Sequence, residues 1–178
     1  MATLKFYLCE TELGWVGLVL SAKGLRASTL PRSTREEALR EVLDQGATAP
    51  VSEAESGDLA RFIRALAAGR PASLDFPIDW DGLSPFRRAV LEETMRIPAG
   101  ETRSYGWLAR QVGRPGAARA VGRVMATNPL PLVIPCHRVV AGDGSLHGYG
   151  GGPEMKARLL RVEGAKGVDL LHAADSHR

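Results

Sequence analysis

Cysteine is scarce in this sequence: only Cys9 and Cys136 occur among its 178 residues. Two cysteines cannot build the disulfide framework of a small secreted domain, so a reducing cytoplasm is the expected location. The four histidines all lie in the C-terminal third, and neither a CxxC pair nor an HxxxH pair occurs. Metal sites in proteins are often built from such pairs, and we therefore predict no metal site.

Long hydrophobic runs are also absent. No stretch of about 18 apolar residues occurs, so we expect no membrane-spanning helix. The first residues, MATLKFYLCETELG, contain an acidic residue at position 10 and lack the apolar core of a signal peptide, and we expect none. With 44% hydrophobic and 24% charged residues, the composition is typical of a soluble globular protein. The length suits one sizeable domain or two small ones.

Acidic residues are missing from one long segment. No Asp or Glu occurs between Thr102 and Gly142, whereas six arginines do: Arg103, Arg110, Arg114, Arg119, Arg123 and Arg138. Residues 1–83 carry a formal charge of −3 and residues 84–178 one of +6. Guanidinium groups suit phosphate contacts, so this asymmetry favours a polyanionic partner. An ordinary solvated surface rich in arginine explains the composition equally well at this point.

The first half of the sequence is typical of a small α/β unit. Three strand-like apolar runs precede two helical patterns, which are separated by a loop-like stretch of small and polar residues. Thr34 is a suitable cap for the first helix, whose first turn contains Glu36 and Glu37. The predicted strands are 3–9, 14–20 and 24–30, the helices 35–44 and 58–68, and the loop 46–57. A turn-rich stretch follows, and we predict that an N-terminal α/β domain spans 1–82.

The second half, 83–178, is predicted to be mostly helical. Ser84 and Pro85 are typical of the start of a helix. Two of the short helices are joined by the tripeptide GRP, and this spacing is typical of a helix-turn-helix. The predicted helices are 85–96, 105–112, 116–127 and 153–162, and 130–140 is a buried strand or an extended loop.

The second helix of the predicted helix-turn-helix has an unusual composition. It consists mostly of Ala, Gly and Val, and Arg119 and Arg123 lie four residues apart on one face. Small residues allow a helix backbone to approach either a bulky partner or the core of its own domain, and both interpretations stay open.

Cys136 lies in the segment VIPCHRVV (133–140), directly before His137. A cysteine reacts as its thiolate, and a free thiol with a pKa of about 8.5 is mostly protonated near neutral pH. Neighbours on a strand point to opposite faces, so His137 acts as the base only through a water or a kink after Pro135. Glu163 is placed to orient that base. A small buried hydrophobe in a core strand is the competing interpretation of Cys136.

Five segments occur in order across residues 84–164: RSYGWLA (103–109), AARAVGRVMATNP (117–129), LVIPCHRVV (132–140), GYGGG (148–152) and EG (163–164). Together they closely resemble the O6-alkylguanine-DNA alkyltransferases, also called methylated-DNA–protein-cysteine methyltransferases. PCHRV is highly specific for this family. The first half resembles more loosely the family's N-terminal domain, which has a ribonuclease-H-like α/β topology. For the second half the resemblance implies a mostly helical domain with a winged helix-turn-helix and a loop that carries the active-site cysteine.

The resemblance implies DNA repair by a single-turnover methyltransferase. Such a protein binds duplex DNA, extrudes an O6-alkylated guanine and transfers the alkyl group irreversibly to Cys136. His137 is then expected to take the thiol proton through a water, and Glu163 to hold His137 in the required tautomer. Tyr105 is expected to donate to N3 of the guanine, and Asn128 to tie the turn after its helix to the active-site segment.

The resemblance also implies a DNA surface and a pocket for the base. Arg119 is expected to enter the base stack in place of the extruded guanine, from a helix in the minor groove. Further DNA contacts are expected from Tyr105, Arg123, Ala118 and Arg103. The pocket is expected to be lined by Met125, Val139, Tyr149, Gly150 and Gly151. The implied partner is double-stranded DNA that contains O6-alkylguanine, and no cofactor, metal or membrane is implied. The protein is expected to be a cytoplasmic monomer that can assemble along DNA.

Two positions depart from the family pattern. Trp107 is bulky where relatives often carry a polar residue, and His147 lies beside the glycine-rich loop. Either difference can alter pocket access or groove contact. Cys9 is interpreted as structural.

Three other classes of protein explain part of the pattern. A relative without the cysteine binds lesions and does not repair them, and Cys136 argues against that class. A DNA-binding regulator explains the arginines but not PCHRV together with Glu163. A Cys-His hydrolase explains the dyad but not the basic helix pair. The fate of Cys136 discriminates among them: lasting alkylation, no change, or a transient acyl adduct.

Overall fold

The structure is a computed structural model, and it describes residues 2–146 and 148–166. It is a mixed α/β protein with a small sheet unit and a mostly helical unit, as the sequence predicts. The first compact unit contains the chain up to Asp81 together with Pro129–Val133, and the second contains Gly82–Asn128 and the chain from Ile134 onward.

The return of Pro129–Val133 to the first unit is not evident from the sequence. Ser28 holds this segment with two hydrogen bonds: its N–H donates to the carbonyl of Pro129 (2.9 Å), and its Oγ donates to that of Pro131 (2.7 Å). The assignment of domains to 1–82 and 83–178 stays a prediction.

A four-stranded sheet forms the centre of the first unit. Its strands are β1 (Lys5–Thr11), β2 (Gly14–Ser21), β3 (Gly24–Ser28) and β4 (Ala49–Pro50), in the order β3–β2–β1–β4. β2 is antiparallel to both β1 and β3, whereas β4 is parallel to β1. Register places Phe6 opposite Val19 and Cys9 opposite Val16, so these two pairs point to opposite faces of the sheet.

Helix α1 (Arg35–Asp44) packs on the face that carries Phe6 and Val19, where Val42 is fully buried. Gly17 permits this close packing, because a Cβ there would lie 2.5 Å from Cγ1 of Val42. The helix has the predicted bounds, and Thr34 caps it as predicted.

Helix α2 (Glu53–Ala67) begins five residues before its predicted start at 58, so the prediction of a loop over 46–57 is wrong for its last part. Ser52 accepts the N–H of Glu55, and the carboxylate of Glu55 accepts the N–H of Ser52. This capping box starts the helix. The apolar periodicity begins only at Leu59, and for this reason the pattern alone misses the first turns.

Four helices and two short strands form the second unit. They are α3 (Pro85–Thr94), β5 (Arg103–Ser104), α4 (Tyr105–Gln111), α5 (Ala118–Ala126), β6 (Val139–Val140) and α6 (Gly152–Val162). β5 and β6 pair in parallel, and α3, α4 and α5 pack against one another around buried apolar side chains such as Val90, Leu108 and Val121. No helix among the described residues is long and apolar enough to cross a membrane.

The connection between α4 and α5 is longer than predicted. Gly113 adopts φ +72°, and the N–H of Arg114 donates to the carbonyl of Ala109, which is the usual left-handed end of a helix. α5 begins at Ala118 and not at 116, because Gly116 has φ +89° and is therefore not helical.

The segment that contains Cys136 is a turn. Pro135 has φ −79° and ψ 63°, and the N–H of Cys136 donates to the carbonyl of Ile134 (2.7 Å), which defines an inverse γ-turn. A single 3-10 turn, Cys136–Arg138, follows, and only Val139–Val140 form a strand. The chain turns at Pro135, so Cys136 and His137 are not part of a strand and their side chains do not point to opposite faces of one.

Candidate active site

Cys136 begins the 3-10 turn and is 4% exposed. Burial raises the pKa of its thiol, although a hydrogen bond from Asn128, the Lys156 ammonium and the N–H groups of Cys136 and His137 act in the opposite direction. Because burial outweighs these groups, the thiol is protonated near neutral pH and needs a base before it reacts.

The candidate base, His137, is 2% exposed and shares a hydrogen bond with a carboxylate. Its Nε2 lies 2.8 Å from Oε1 of Glu163. Burial lowers the pKa of His137 and outweighs the opposing effect of Glu163, so the ring is neutral at neutral pH. A neutral ring that donates Nε2–H to the carboxylate keeps a lone pair on Nδ1. Nδ1 is buried and accepts no hydrogen bond from the part of the chain that the structure describes.

Arg138 holds the carboxylate from the other side. Its Nε donates to Oε2 of Glu163 (3.0 Å), and its Nη2 donates to Oε1 (2.7 Å). Its Nη1 donates to the carbonyl of Ile97 (2.6 Å). Burial alone raises the pKa of Glu163, but the hydrogen bonds from His137 and Arg138 outweigh burial and lower it to about 2. The sequence places Arg138 among the arginines of the basic segment and close to Cys136, but it does not predict the hydrogen bonds from Arg138 to Glu163.

The end of α6 positions Glu163. Gly164 has φ +73°, and the N–H of Ala165 donates to the carbonyl of Leu160 (3.0 Å), which closes the helix with a left-handed glycine. Glu163 is the C-cap of this helix and projects from its last turn. The pair Glu163-Gly164 therefore has a local structural reason: the glycine ends the helix where the carboxylate is needed.

Asn128 connects the end of α5 to the active-site turn. Its Nδ2 donates to the carbonyl of Ile134 (2.9 Å), which also accepts the N–H of Cys136. The same side chain stabilises the thiolate form of Cys136. Asn128 thus lies where the sequence expects it, between the helix and the cysteine.

Two tyrosines and a lysine surround the same cysteine. Burial and the proximity of Cys136 raise the phenol pKa of Tyr105 and of Tyr149. The hydroxyl of Tyr149 is buried and has no hydrogen-bond partner among the described residues. The Nζ of Lys156 lies 5.9 Å from the ring centroid of Tyr105 and 5.8 Å from that of Tyr149, and it donates to the carbonyl of Val139. The structure therefore brings Tyr105, Tyr149 and Val139 together with Cys136.

Lys156 is a site residue that was not predicted from the sequence. The signal was its position, because Lys156 lies three and four residues before the buried Leu159 and Leu160, on the apolar face of α6. A lysine on that face is rarely solvated, and its burial needs an explanation.

Three further residues were predicted to line the pocket: Met125, Gly150 and Gly151. Met125 is 7% exposed, and its Sδ accepts a hydrogen bond from Oγ1 of Thr94 (3.8 Å). Gly150 and Gly151 are exposed. A Cβ at Gly150 would meet nothing within 4 Å among the described residues, so the protein's own packing does not require glycine there.

Helix α5 has one buried face and one open face. Val121 and Val124 are buried, whereas Arg119 and Arg123 are exposed. A Cβ at Gly122 would meet nothing within 4 Å in the described part of the chain. The small residues on this face are therefore not explained by close packing on the core of the unit. Ala118, at the start of α5, is partly exposed.

Arg103 and Trp107 contact each other on the surface of the unit. The guanidinium of Arg103 lies 5.3 Å from the ring centroid of Trp107, and the same arginine pairs with Glu101. Trp107 thus covers part of an arginine that was predicted to contact DNA. His147 lies outside the described residues.

Comparison with known proteins agrees with this arrangement. Residues 85–165 match the family described as 6-O-methylguanine DNA methyltransferase, DNA binding domain. A methylated-DNA–protein-cysteine methyltransferase of Shigella flexneri is 43% identical over 114 residues, which cover 64% of this chain and 67% of that relative. The crystal structure of the O6-methylguanine methyltransferase of Mycobacterium tuberculosis matches with a TM-score of 0.73 and 33% identity, over 97% of this chain and 100% of that one. The structure of Mycobacterium tuberculosis OGT in complex with DNA matches with a TM-score of 0.74 and 32% identity, over 96% and 99%. The chain belongs to the methylated-DNA–protein-cysteine methyltransferase family.

Proposed function

We propose that this protein repairs DNA by transferring the alkyl group of an O6-alkylated guanine in duplex DNA to Cys136. The observation that carries the proposal is the hydrogen-bonded set behind the cysteine. Glu163, held by Arg138, accepts from Nε2 of His137 and leaves Nδ1 as the basic nitrogen of the residue that directly follows the buried Cys136. Relatives of similar sequence are named for methyl transfer to cysteine, which agrees with this arrangement.

The transfer is balanced in atoms and charge. Cys136 loses its proton to Nδ1 of His137 through a water, and the thiolate attacks the alkyl carbon. A sulfur–carbon bond forms, the bond between that carbon and O6 breaks, and its electron pair stays on the guanine. Tyr105 is a phenol and keeps its proton at neutral pH, burial raises its pKa further, and it donates to N3 of the departing base. The guanine leaves as an anion and becomes neutral by taking a proton from water, while His137 releases to water the proton that it took from Cys136.

Each molecule acts once in this proposal. The product is a thioether, which is a poor leaving group toward water. Cys136 is 4% exposed, so the bound alkyl group stays out of contact with solvent nucleophiles. The active site therefore offers no route that regenerates the thiol.

We assign DNA binding to α4 and α5, as a helix-turn-helix that approaches the minor groove through α5. The exposed Arg119 and Arg123 and the open space around Gly122 support this assignment. Extrusion of a base costs a few kcal/mol, and Arg119 offsets part of that cost when it fills the gap in the stack. Arg123, Arg103 and Ala118 contact the flanking backbone, and Met125, Tyr149, Gly150 and Gly151 receive the base.

Three finer assignments accompany this function. The order β3–β2–β1–β4, with three antiparallel strands and a parallel fourth, supports a ribonuclease-H-like topology for the first unit. The short strands β5 and β6 beside α4 support a winged helix-turn-helix. We propose that the protein works in the cytoplasm as a monomer that can assemble along DNA, and that O4-alkylthymine is a further candidate substrate.

The proposal is tested by measuring how much guanine the reaction restores in the DNA. A duplex oligonucleotide with one O6-methylguanine is mixed with increasing amounts of protein, digested to nucleosides and analysed for guanine. We expect restored guanine to rise in proportion to protein and to stop at one lesion per molecule. The variant Cys136→Ser should restore none while it still binds the duplex. Lesion binding without restored guanine in the wild type would identify a non-repairing lesion binder.

A further inference from the structure

We propose that Lys156 is a positioning residue of the transfer reaction: its buried ammonium supplies the positive charge that stabilises the Cys136 thiolate once the thiol has lost its proton. This inference rests on the proposed function for its role in repair. Its effect on the thiol itself can be measured without DNA.

The surroundings of Lys156 stabilise the positive charge of its ammonium group. Lys156 is 1% exposed on the apolar face of α6. Its Nζ donates to the carbonyl of Val139 and lies over the rings of Tyr105 and Tyr149, at 5.9 and 5.8 Å from their centroids. Aromatic faces and a carbonyl oxygen stabilise a cation, so the protein holds this group in its charged form at a defined place.

The positive charge of Lys156 also affects the charge balance of the site. Glu163 is already paired with Arg138, and His137 is neutral. Among the described residues, no carboxylate lies within ion-pair distance of Lys156. A buried cation without an anion is costly, and the carbonyl and the two rings compensate for only part of that cost. The site therefore carries one positive charge that the resting protein does not neutralise.

One titratable group near Lys156 can become the anion that balances its charge. The titratable groups that face Lys156 are Cys136 and His137 on the 3-10 turn, Tyr105 on α4 and Tyr149 on the loop before α6. The pKa of both phenols is raised, and an imidazole does not become an anion near neutral pH. Cys136 is thus the group that can supply the negative charge.

The coupling between the two groups is reciprocal. Burial lowers the pKa of Lys156 to about 8, and Cys136 acts in the opposite direction. The ammonium in turn lowers the pKa of the Cys136 thiol. Reactivity of the thiol should therefore rise with pH as the thiolate forms and lose this support above about pH 8, where Lys156 loses its proton.

The test compares Lys156→Gln, Lys156→Met and Lys156→Arg with the exposed Lys166→Met, all in a Cys9→Ser background. Gln keeps a donor for the carbonyl of Val139 but has no charge, Met has neither, and Arg keeps the charge. The rate of Cys136 labelling by iodoacetamide is measured against pH in the absence of DNA. Thermal melting identifies any variant that does not fold. If one variant does not fold, the other substitutions of Lys156 still test the effect of its charge on the thiol.

We expect the apparent thiol pKa to rise by about one unit in Lys156→Gln and Lys156→Met, with labelling near pH 7 about tenfold slower. Lys156→Arg should retain most of the wild-type rate, and Lys166→Met all of it. A folded Lys156→Gln protein with the wild-type pH profile would overturn the inference and leave Lys156 a structural residue.

Methyl transfer from an O6-methylguanine duplex is measured in parallel. We expect a slower single-turnover rate with unchanged duplex binding for Lys156→Gln. If the wild type transfers no methyl group, the proposed function fails, but the labelling profiles still decide whether Lys156 controls the thiol.

Discussion

Nε2 of His137 lies 2.8 Å from Oε1 of Glu163, and this hydrogen bond determines which imidazole nitrogen is basic. With Nε2–H directed at the carboxylate, the lone pair is on Nδ1. Arg138 prevents the carboxylate from rotating away, because it binds both oxygens. The candidate base is therefore oriented by a residue 26 positions away in the sequence.

Replacement of Glu163 by Gln tests this orientation. The amide of Gln can present N–H to Nε2, which moves the ring proton to Nδ1 and removes the base. Because a general base contributes about 10²–10⁴-fold to a rate, we expect methyl transfer to slow by roughly two orders of magnitude or more. Single-turnover kinetics measure the rate, and fluorescence anisotropy should give unchanged affinity for the duplex. A Glu163→Gln protein with the wild-type rate would contradict the assignment of His137 as base.

Glu163 also predicts a pH dependence of stability. Its pKa falls from 4.5 to about 2 on folding, so its contribution is present above pH 4.5 and is lost as the pH falls toward 2. The shift corresponds to roughly 3 kcal/mol of unfolding free energy for a side chain that is 6% exposed. We expect Glu163→Gln to be less stable by about this amount at pH 7 and the difference to shrink below pH 4.5.

Denaturant unfolding between pH 7 and pH 3 measures this difference. The matched control is Glu92→Gln, which removes an exposed pair with Arg88 and should cost less than about 1 kcal/mol at every pH. Equal losses in the two variants would show that the Glu163 pair is no stronger than a surface ion pair.

Alkylation of Cys136 should destabilise the protein. The Cys136 side chain is buried and interacts with the Asn128 side chain and the N–H groups of the 3-10 turn, so an added methyl group overfills the site. Overpacking of this size costs about 1–3 kcal/mol. We expect the methylated protein to melt several degrees below the free one, and a melting temperature that does not fall would count against a tight site.

The exposed arginines of α5 are predicted to differ in role. Arg123→Ala should weaken binding to lesion-containing and undamaged duplexes alike, and the slope of log affinity against log salt should fall by about one. Arg119→Ala should slow methyl transfer from a fully paired duplex more than from a duplex in which the lesion lies opposite an abasic site, because extrusion is easier there.

Salt titrations by anisotropy and single-turnover kinetics separate the two effects. Arg61→Ala, on the exposed surface of α2 in the other unit, is the control and should change neither quantity. Equal slowing of Arg119→Ala on both duplexes would contradict a role in base extrusion.

Much of the fold could be predicted because local signals were strong. Thr34 and Ser84 cap helices at the predicted places, and strands β1, β2 and β3 lie near their predicted bounds. The start of α2 was missed because a capping box, and not apolar periodicity, determines it. Composition favours a helix over 116–127. Gly113 and Gly116 both have positive φ, and α5 is therefore shorter than this prediction.

The candidate site was predictable in part. Cys136 and His137 are neighbours in the sequence, and the resemblance to the family identifies Glu163 as their partner. Arg138 and Lys156 were missed, because their role depends on three-dimensional partners: the carbonyl of Ile97 for one, and two tyrosine rings for the other. A charged residue gives no sign in sequence of whether it is solvated or buried against a distant group.

The central claim is that Cys136 accepts the alkyl group and keeps it. The most direct measurement is the intact mass of the protein after incubation with a duplex that contains one O6-methylguanine, followed by peptide mapping. The account predicts a gain of about 14 Da on Cys136, saturating at one per molecule, with Cys9 unmodified. An unchanged mass while the duplex stays bound, or a methyl group on any other residue, would contradict it.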